Sequence, residues 1–371
     1  MGAQRFSRFY RDAVPIPDKD RNSEFLHFYP QKNFKQMKAI IPVAGAGTRL
    51  RPLTYTQPKP LIPVAGKPII SFIIDQLVEV GIQDFIFIIG YLGEKVKNYV
   101  EQAYPNLNKI FVNQEKRLGS AHAIWVGREH IQNAEEIFIF FGDAIIDADF
   151  KQMVEHPHSC VGIKQVQKPW EYGVVERNRE GLAIKMVEKP KIPKSNLAMV
   201  GIYKIREVPL FLDAMEYNIQ NDIKTHSEYQ LTDALQHRLV NGVRIDSIPV
   251  DNWFNCGKMD VLLETNANFL NRSGYPSANL PAYENTIIIQ PVSIGENCQI
   301  SNSVIGPHVT ISSNAKIERA IIRNSIIGNY VHIKEIILQK SVIGNDTSIS
   351  GMRQSLNIGD NTEIDFGSQI A

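Results

Sequence analysis

At 371 residues, with 43% hydrophobic and 21% charged content, the chain can bury more than one core and is not a disordered polymer. A net charge of +1 excludes a global preference for nucleic acid or an anionic membrane, so local clustering of charge matters more than the total. The three cysteines, Cys160, Cys256 and Cys298, lie far apart without metal-ligand spacing, which suits a reducing cytoplasm, and no apolar run reaches the length of a membrane span.

Residues 1–36 mix aromatics with Arg, Lys and Asp, without apolar periodicity or a secretory core, and read as an N-terminal extension, either flexible and dispensable or an arm packed on a partner. The first domain is expected to span 37–272. An apolar run from Lys38 to Val43 reads as a buried strand and leads into VAGAGTRLRPLTYTQPKPLIPVAGK, residues 43–67. From Met37 to Ile74 there is no Asp or Glu, although the chain holds 39 acids. At that overall density about four would be expected in such a stretch. The same stretch supplies Gly45, Gly47, Thr48, Arg49, Arg51, Lys59 and Lys67. Glycines admit backbone N–H groups to phosphate oxygens and cations offset the charge, so this loop suits a polyphosphate. It is not a Walker A loop, having no GK[ST] ending, and it lacks the third glycine of a Rossmann fingerprint.

Beyond the loop, strand and helix patterns alternate. Helices are expected over 68–81, 94–103 and 120–132, with strands over 84–89, 109–113 and 136–141, the last ending at Gly142–Asp143. This alternation predicts an α/β fold, a doubly wound, mixed but mostly parallel Rossmann-like sheet. Ligands in such sheets bind beyond the carboxyl ends of strands, where both the basic loop and Asp143 fall. Asp143 taken alone reads equally as a helix cap or as a Mg²⁺ ligand. From Cys160 to Ile205 shorter strands extend the sheet. Helices near 208–217 and 230–240, a strand at 243–249, the run WFNCGK and a helix at 259–270 complete the domain, and 273–281 reads as a linker.

The region 282–371 repeats. Isoleucines recur six apart in triads at 288, 294, 300; 305, 311, 317; 321, 327, 333; 337, 343, 349; and 358, 364, 370. A six-residue step with Gly after many of these isoleucines is the signature of a parallel β-helix, expected to be left-handed, in which each flat face contributes one inward isoleucine. Exposed coil ends and flat faces suit association, so a homo-oligomer is expected.

The 43–67 segment resembles the G-x-G-T-R-L-x-P-L-T…P-K-P signature of sugar-1-phosphate nucleotidyltransferases, and further motifs follow in the family's order to the end of the chain. The resemblance implies that Ala44, Gly45, Ala46, Gly47 and Thr48 wrap a nucleoside triphosphate while Arg49 and Lys59 stabilise charge during transfer. It implies that Gln114 reads the base edge and Gly119 admits the ring, an amide matching the imide edge of thymine or uracil. It places a metal ligand at Asp143, with Mg²⁺ the implied cofactor. The family's W-x-D-x-G motif appears as Trp253–Phe254–Asn255–Cys256–Gly257, so at the second metal position Asn255 offers a neutral carbonyl where the family has a carboxylate. On the sugar side it implies Gly173 for close approach, Glu188 for hydroxyls, Lys189 for the phosphate and Met199 behind the ring. His226 falls near the position where some members carry a phosphate-binding Arg.

The expected reaction joins dTTP and glucose 1-phosphate, with UTP- and GTP-using pyrophosphorylases as alternatives. Partners are these small molecules, with neither nucleic acid nor membrane. Two other classes stay open. One is a weakly active regulatory homologue, motivated by Asn255. The other is a bifunctional enzyme with an acyltransferase site near His308 or His332.

Overall fold

The computed structural model describes residues 37–272 and 280–351, so the N-terminal extension, most of the linker and the final isoleucine triad lie outside the described residues. The first region is built on a nine-stranded mixed sheet. Its parallel heart runs Glu136–Phe140, Lys38–Pro42, Asp84–Ile89, Asn108–Asn113. The ten-residue strand Leu197–Arg206 then pairs antiparallel with Glu136–Phe140, Ser159–Gln165 and Gly173–Arg177, and so turns the sheet from parallel to mixed.

The period of two along each strand sorts side chains onto two cores. Ala39, Ile41, Phe85, Phe87, Phe138 and Phe140 face one core, while Ile40, Ile86, Ile88, Ile137 and Ile139 face the other. Each of these is almost fully buried, worth roughly 1.5–3 kcal/mol for a large side chain. Two covered faces explain why these strands read as unbroken apolar runs. The helix Ile69–Glu79 follows Pro68 and is closed by Gly81 at φ 90°, a conformation that favours glycine. The helix expected over 120–132 is shorter, because Gly127 interrupts it. An α-helix covers Ser120–Val126 and a 3-10 turn covers Arg128–His130. A ribbon not expected from the sequence, Ala144–Asp147 against Asn252–Asn255, crosses the mouth of the sheet.

The second region stacks short parallel strands into three four-stranded sheets, a parallel β-helix. Inward residues stack as the six-residue period requires, with Ile294 over Ile311, Ile327 and Ile343, and Ile300 over Ile317, Ile333 and Ile349. On the third face one register differs from the counted triads. Ile305 stacks on Ile322, then Leu338, so Ile321 and Ile337 turn outward, the latter 71% exposed. The double isoleucines 321–322 and 336–337 made the choice ambiguous in sequence. Corners fall at left-handed residues in rows, such as Asn297, Asn314, Tyr330 and Asp346, where asparagine and aspartate are tolerated. Ile326 points out of the coil and joins the core that contains Ile62 and Val64, so the two regions share packing. Among the described residues no helix is long and apolar enough to cross a membrane.

Candidate active site

The basic loop leaves the sheet at Val43, whose N–H donates to the Ile88 carbonyl at 2.8 Å. Gly47 is left-handed at φ 59°, and a Cβ there would lie 3.0 Å from the Thr54 methyl and 3.3 Å from Lys59 Cβ. The Thr54 hydroxyl donates to the Gly47 carbonyl at 2.8 Å. The turn that presents the loop's N–H groups is therefore pinned from within, and glycine is required by both conformation and space. A Cβ at Gly45, by contrast, would meet nothing, so that position is open to the cleft.

Lys59 is buried along its length, with its side chain 8% exposed, and its Nζ lies 3.2 Å from Asp143 Oδ2. Asp143 itself is 47% exposed at the end of Glu136–Phe140. One residue on, Ala144 stands opposite Asn255 across the unexpected ribbon, so Asp143 precedes the rung that Asn255 occupies. Asn255 Oδ1 is buried without a hydrogen-bond partner. Around it the packing is tight: a Cβ at Gly257 would sit 3.0 Å from Asn255 Oδ1 and 3.1 Å from Arg49 Nη2. Arg49 thus reaches across from the basic loop to the same corner. Cys256 beside it is no nucleophile. Burial pushes its thiol up to about 11, with the Lys59 charge acting in the opposite direction.

These donors suit a hard divalent cation in one respect. A carboxylate and an orphaned carbonyl oxygen are both oxygen ligands, and Mg²⁺ commonly completes its shell with substrate phosphates and water. Among the described residues no group of three or more His, Cys, Asp or Glu could hold a metal.

Gln114 is buried near the start of Ser120–Val126. Its Nε2 lies 3.1 Å from His122 Nδ1 and 3.3 Å from the Gly119 carbonyl it donates to, so the amide is oriented by its neighbours. Burial lowers the pKa of His122, keeping its ring neutral and able to accept from that amide. Gly119 is also fixed by packing: at φ 118° a Cβ would clash with the backbone of Tyr229, its oxygen at 2.4 Å. The glycine lets the 118–121 turn dock on the segment at Tyr229, with Tyr229 N–H donating to the Leu118 carbonyl and Ala121 N–H to that of Tyr229.

On the sugar side the expected residues converge. A Cβ at Gly173 would lie 2.6 Å from Met199 Cε, 2.8 Å from Glu188 Oε2 and 3.0 Å from Thr232 Oγ1. The Thr232 hydroxyl donates to Glu188 Oε2 at 2.7 Å, and Glu188 Oε1 is 3.6 Å from Lys189 Nζ. Lys189 stands on a left-handed backbone at φ 41° and is 46% exposed. Asp233, next to Thr232, has a buried Oδ2 without a partner, and burial raises its pKa, helped by the charge of Glu188. In the sequence Gly257 shows only as the end of the Trp253–Gly257 run, and Thr232 carries no signal of its own. Their packing roles depend on strand crossings that no local pattern reports.

A family description of nucleotidyl transferases matches residues 38–272. The chain belongs to the nucleotidyl transferase family. Its relatives place it among the sugar-1-phosphate nucleotidyltransferases. It is 28% identical to glucose-1-phosphate thymidylyltransferase of Streptomyces antibioticus, over 86% of this chain and 90% of that protein. It is 30% identical to the bifunctional protein GlmU of Methanococcus vannielii, over 82% of this chain and 74% of the relative. A solved UDP-glucose pyrophosphorylase, complexed with UDP-glucose, superposes with a TM-score of 0.56 at 25% identity, covering 63% of this nucleotidyltransferase and 98% of that chain. Members of the family generally use a divalent metal.

Proposed function

We propose that this nucleotidyltransferase joins dTTP and glucose 1-phosphate to give dTDP-glucose and pyrophosphate. The observation that carries the reading is the buried Lys59 held on Asp143 beneath a glycine-pinned loop, with Arg49 at the same corner. An oxygen of the sugar phosphate attacks the α-phosphorus in line. The new P–O bond forms as the bond to the β-phosphate's bridging oxygen breaks, and pyrophosphate leaves with the electron pair. The attacking group is an anion at neutral pH, so no general base is needed, consistent with a cleft rich in Arg and Lys. Holding two mutually repelling anions together and neutralising the transferring group are the main tasks.

In this reading the N–H groups of Ala44 to Thr48 take the triphosphate, Arg49 and Lys59 face the developing charge, and Gln114 reads the base. Asp143 and Asn255 would hold Mg²⁺, which supplies positive charge beside the phosphates when bound. Lys189 anchors the sugar phosphate, Glu188 accepts from sugar hydroxyls, and Met199 with Gly173 shapes the floor. The thymidylyltransferase relative favours dTTP. A second reading, UTP, has its own support in the pyrophosphorylase structure and in the 30% identical uridylyltransferase AglF of Haloferax volcanii, 58% of this chain and 89% of that protein being aligned. An acyltransferase site in the coil has no support at His308, whose two ring nitrogens lie 3.1 Å from Asn324 and Asn271.

Pyrophosphate release tests the reading, with dTTP, UTP and GTP each offered glucose 1-phosphate and mannose 1-phosphate. The fastest turnover is expected with dTTP and glucose 1-phosphate. Faster turnover with UTP selects the second reading, and no release with any pair leaves a regulatory homologue.

A further inference from the structure

The segment that carries Lys59 is fastened to the β-helix on both sides of that residue. Upstream, Leu53 packs against the coil, where a Cβ added at Gly344 would lie 3.3 Å from Leu53 Cδ1. Downstream, the ribbon Pro63–Val64 against Lys67–Pro68 turns at Ala65 and Gly66, both left-handed. A Cβ at Gly66 would lie 2.5 Å from Ser293 Oγ on the coil. Between the two fastenings lies a cavity of about 300 Å³, lined by Gln57 and Leu61 on one side and Asn329 and Asn345 on the other.

The downstream fastening is a buried polar node. Asn266, fully buried on helix Met259–Leu270, accepts at Oδ1 from the Ala65 N–H at 2.8 Å and from the Thr310 hydroxyl at 2.7 Å. Its Nδ2 points to the His308 carbonyl at 3.4 Å. Ala65 N–H can only donate, so the amide's orientation is fixed, and one oxygen joins the loop, the last helix and the β-helix. A buried amide that lost a donor would relax, and the left-handed Ala65 turn would be held less firmly.

We propose that Asn266 and Thr310 are positioning residues for Lys59, so that the β-helix forms the back wall of the catalytic loop. This rests on the reading of Lys59 as a charge-stabilising group. The route is short: Ile62 N–H donates to the Lys59 carbonyl at 3.1 Å, and three residues later comes Ala65. Loosening the node moves the loop, and a cation displaced from the transferring phosphate works less well.

The test uses the full chain. Asn266→Leu removes the node but risks the fold, so Thr310→Val, which keeps shape and loses only the hydroxyl, is the decisive variant, with Thr310→Ser as rescue. Thr310→Val is expected to lower kcat about 3- to 10-fold with both KM values and the melting temperature nearly unchanged, the scale of coupling through one network contact. Thr310→Ser should restore kcat, and in a Lys59→Met background Thr310→Val should add nothing. Unchanged kcat in Thr310→Val, an equal defect in Thr310→Ser, a loss that tracks unfolding, or a full effect on top of Lys59→Met would each overturn the proposal. Full turnover by Lys59→Met alone would instead overturn the role given to Lys59.

Discussion

Lys59 and Lys189 are both cations of one cleft, and the protein holds them in opposite ways. Lys59 is 8% exposed and lies 3.2 Å from Asp143, between a pinned glycine turn and a shared apolar core. Lys189 is 46% exposed and stands 3.6 Å from Glu188, the looser geometry of a solvated pair. A charge fixed before the substrate arrives needs no reorganisation as the reaction proceeds, so it favours the transition state. A charge on an exposed arm gathers the anion without dictating its final position. Under the proposed function, this contrast would give the nucleotide side to rate and the sugar side to binding.

The largest effect should come from breaking the fixed half. Lys59→Met keeps the buried stem and removes the charge, and kcat should fall on the order of 10²–10³, as for loss of one preorganised donor, with modest change in KM. Pyrophosphate release under saturating substrates measures it. A variant that kept kcat and raised only KM would erase the contrast. Next comes the exposed half. Lys189→Ala should raise KM for the sugar phosphate about tenfold while kcat stays within a few-fold, an exposed charge-assisted contact being lost. A large fall in kcat at saturating sugar phosphate would show that Lys189, too, acts on the transition state.

The same contrast describes what could be read from the chain. Unbroken apolar runs in 38–43, 84–89 and 136–141 reported the parallel heart, because two buried faces leave a continuous signature. Among the described residues the isoleucine step reported the coil, failing where adjacent isoleucines offered two registers and packing chose Ile322 over Ile321. The loop's cations and glycines were visible as composition. The ribbon that sets Asn255 beside Ala144 was not, since its four-residue strands carry no distinguishing period. Nor was the reason for Gly119, which lies in a backbone more than a hundred residues away. The Asn266 node is equally silent in sequence: a buried asparagine declares itself only when its partners are assembled.

The smallest predicted effect sharpens the comparison from the metal side. Asn255 Oδ1 is buried, unpartnered and close to the Gly257 position that also borders Arg49. As a neutral oxygen it adds a dipole where a carboxylate would add a full charge. Asn255→Asp should therefore tighten divalent binding about three- to fivefold, a modest gain because Asp143 is half open to water, which screens the added charge. Mn²⁺ binding followed by electron paramagnetic resonance reads this directly, and the Mg²⁺ concentration for half-maximal turnover should fall in step. A new carboxylate would also attract Arg49, so the sign of the change in kcat reports which neighbour wins. Tighter metal with unchanged kcat places Asn255 on the binding side of the contrast, with Lys189. Tighter metal with faster turnover places it with Lys59. Unchanged metal affinity would mean that the orphaned oxygen serves the packing of the Gly257 turn alone, leaving Asp143 as the protein's sole contribution to the cation.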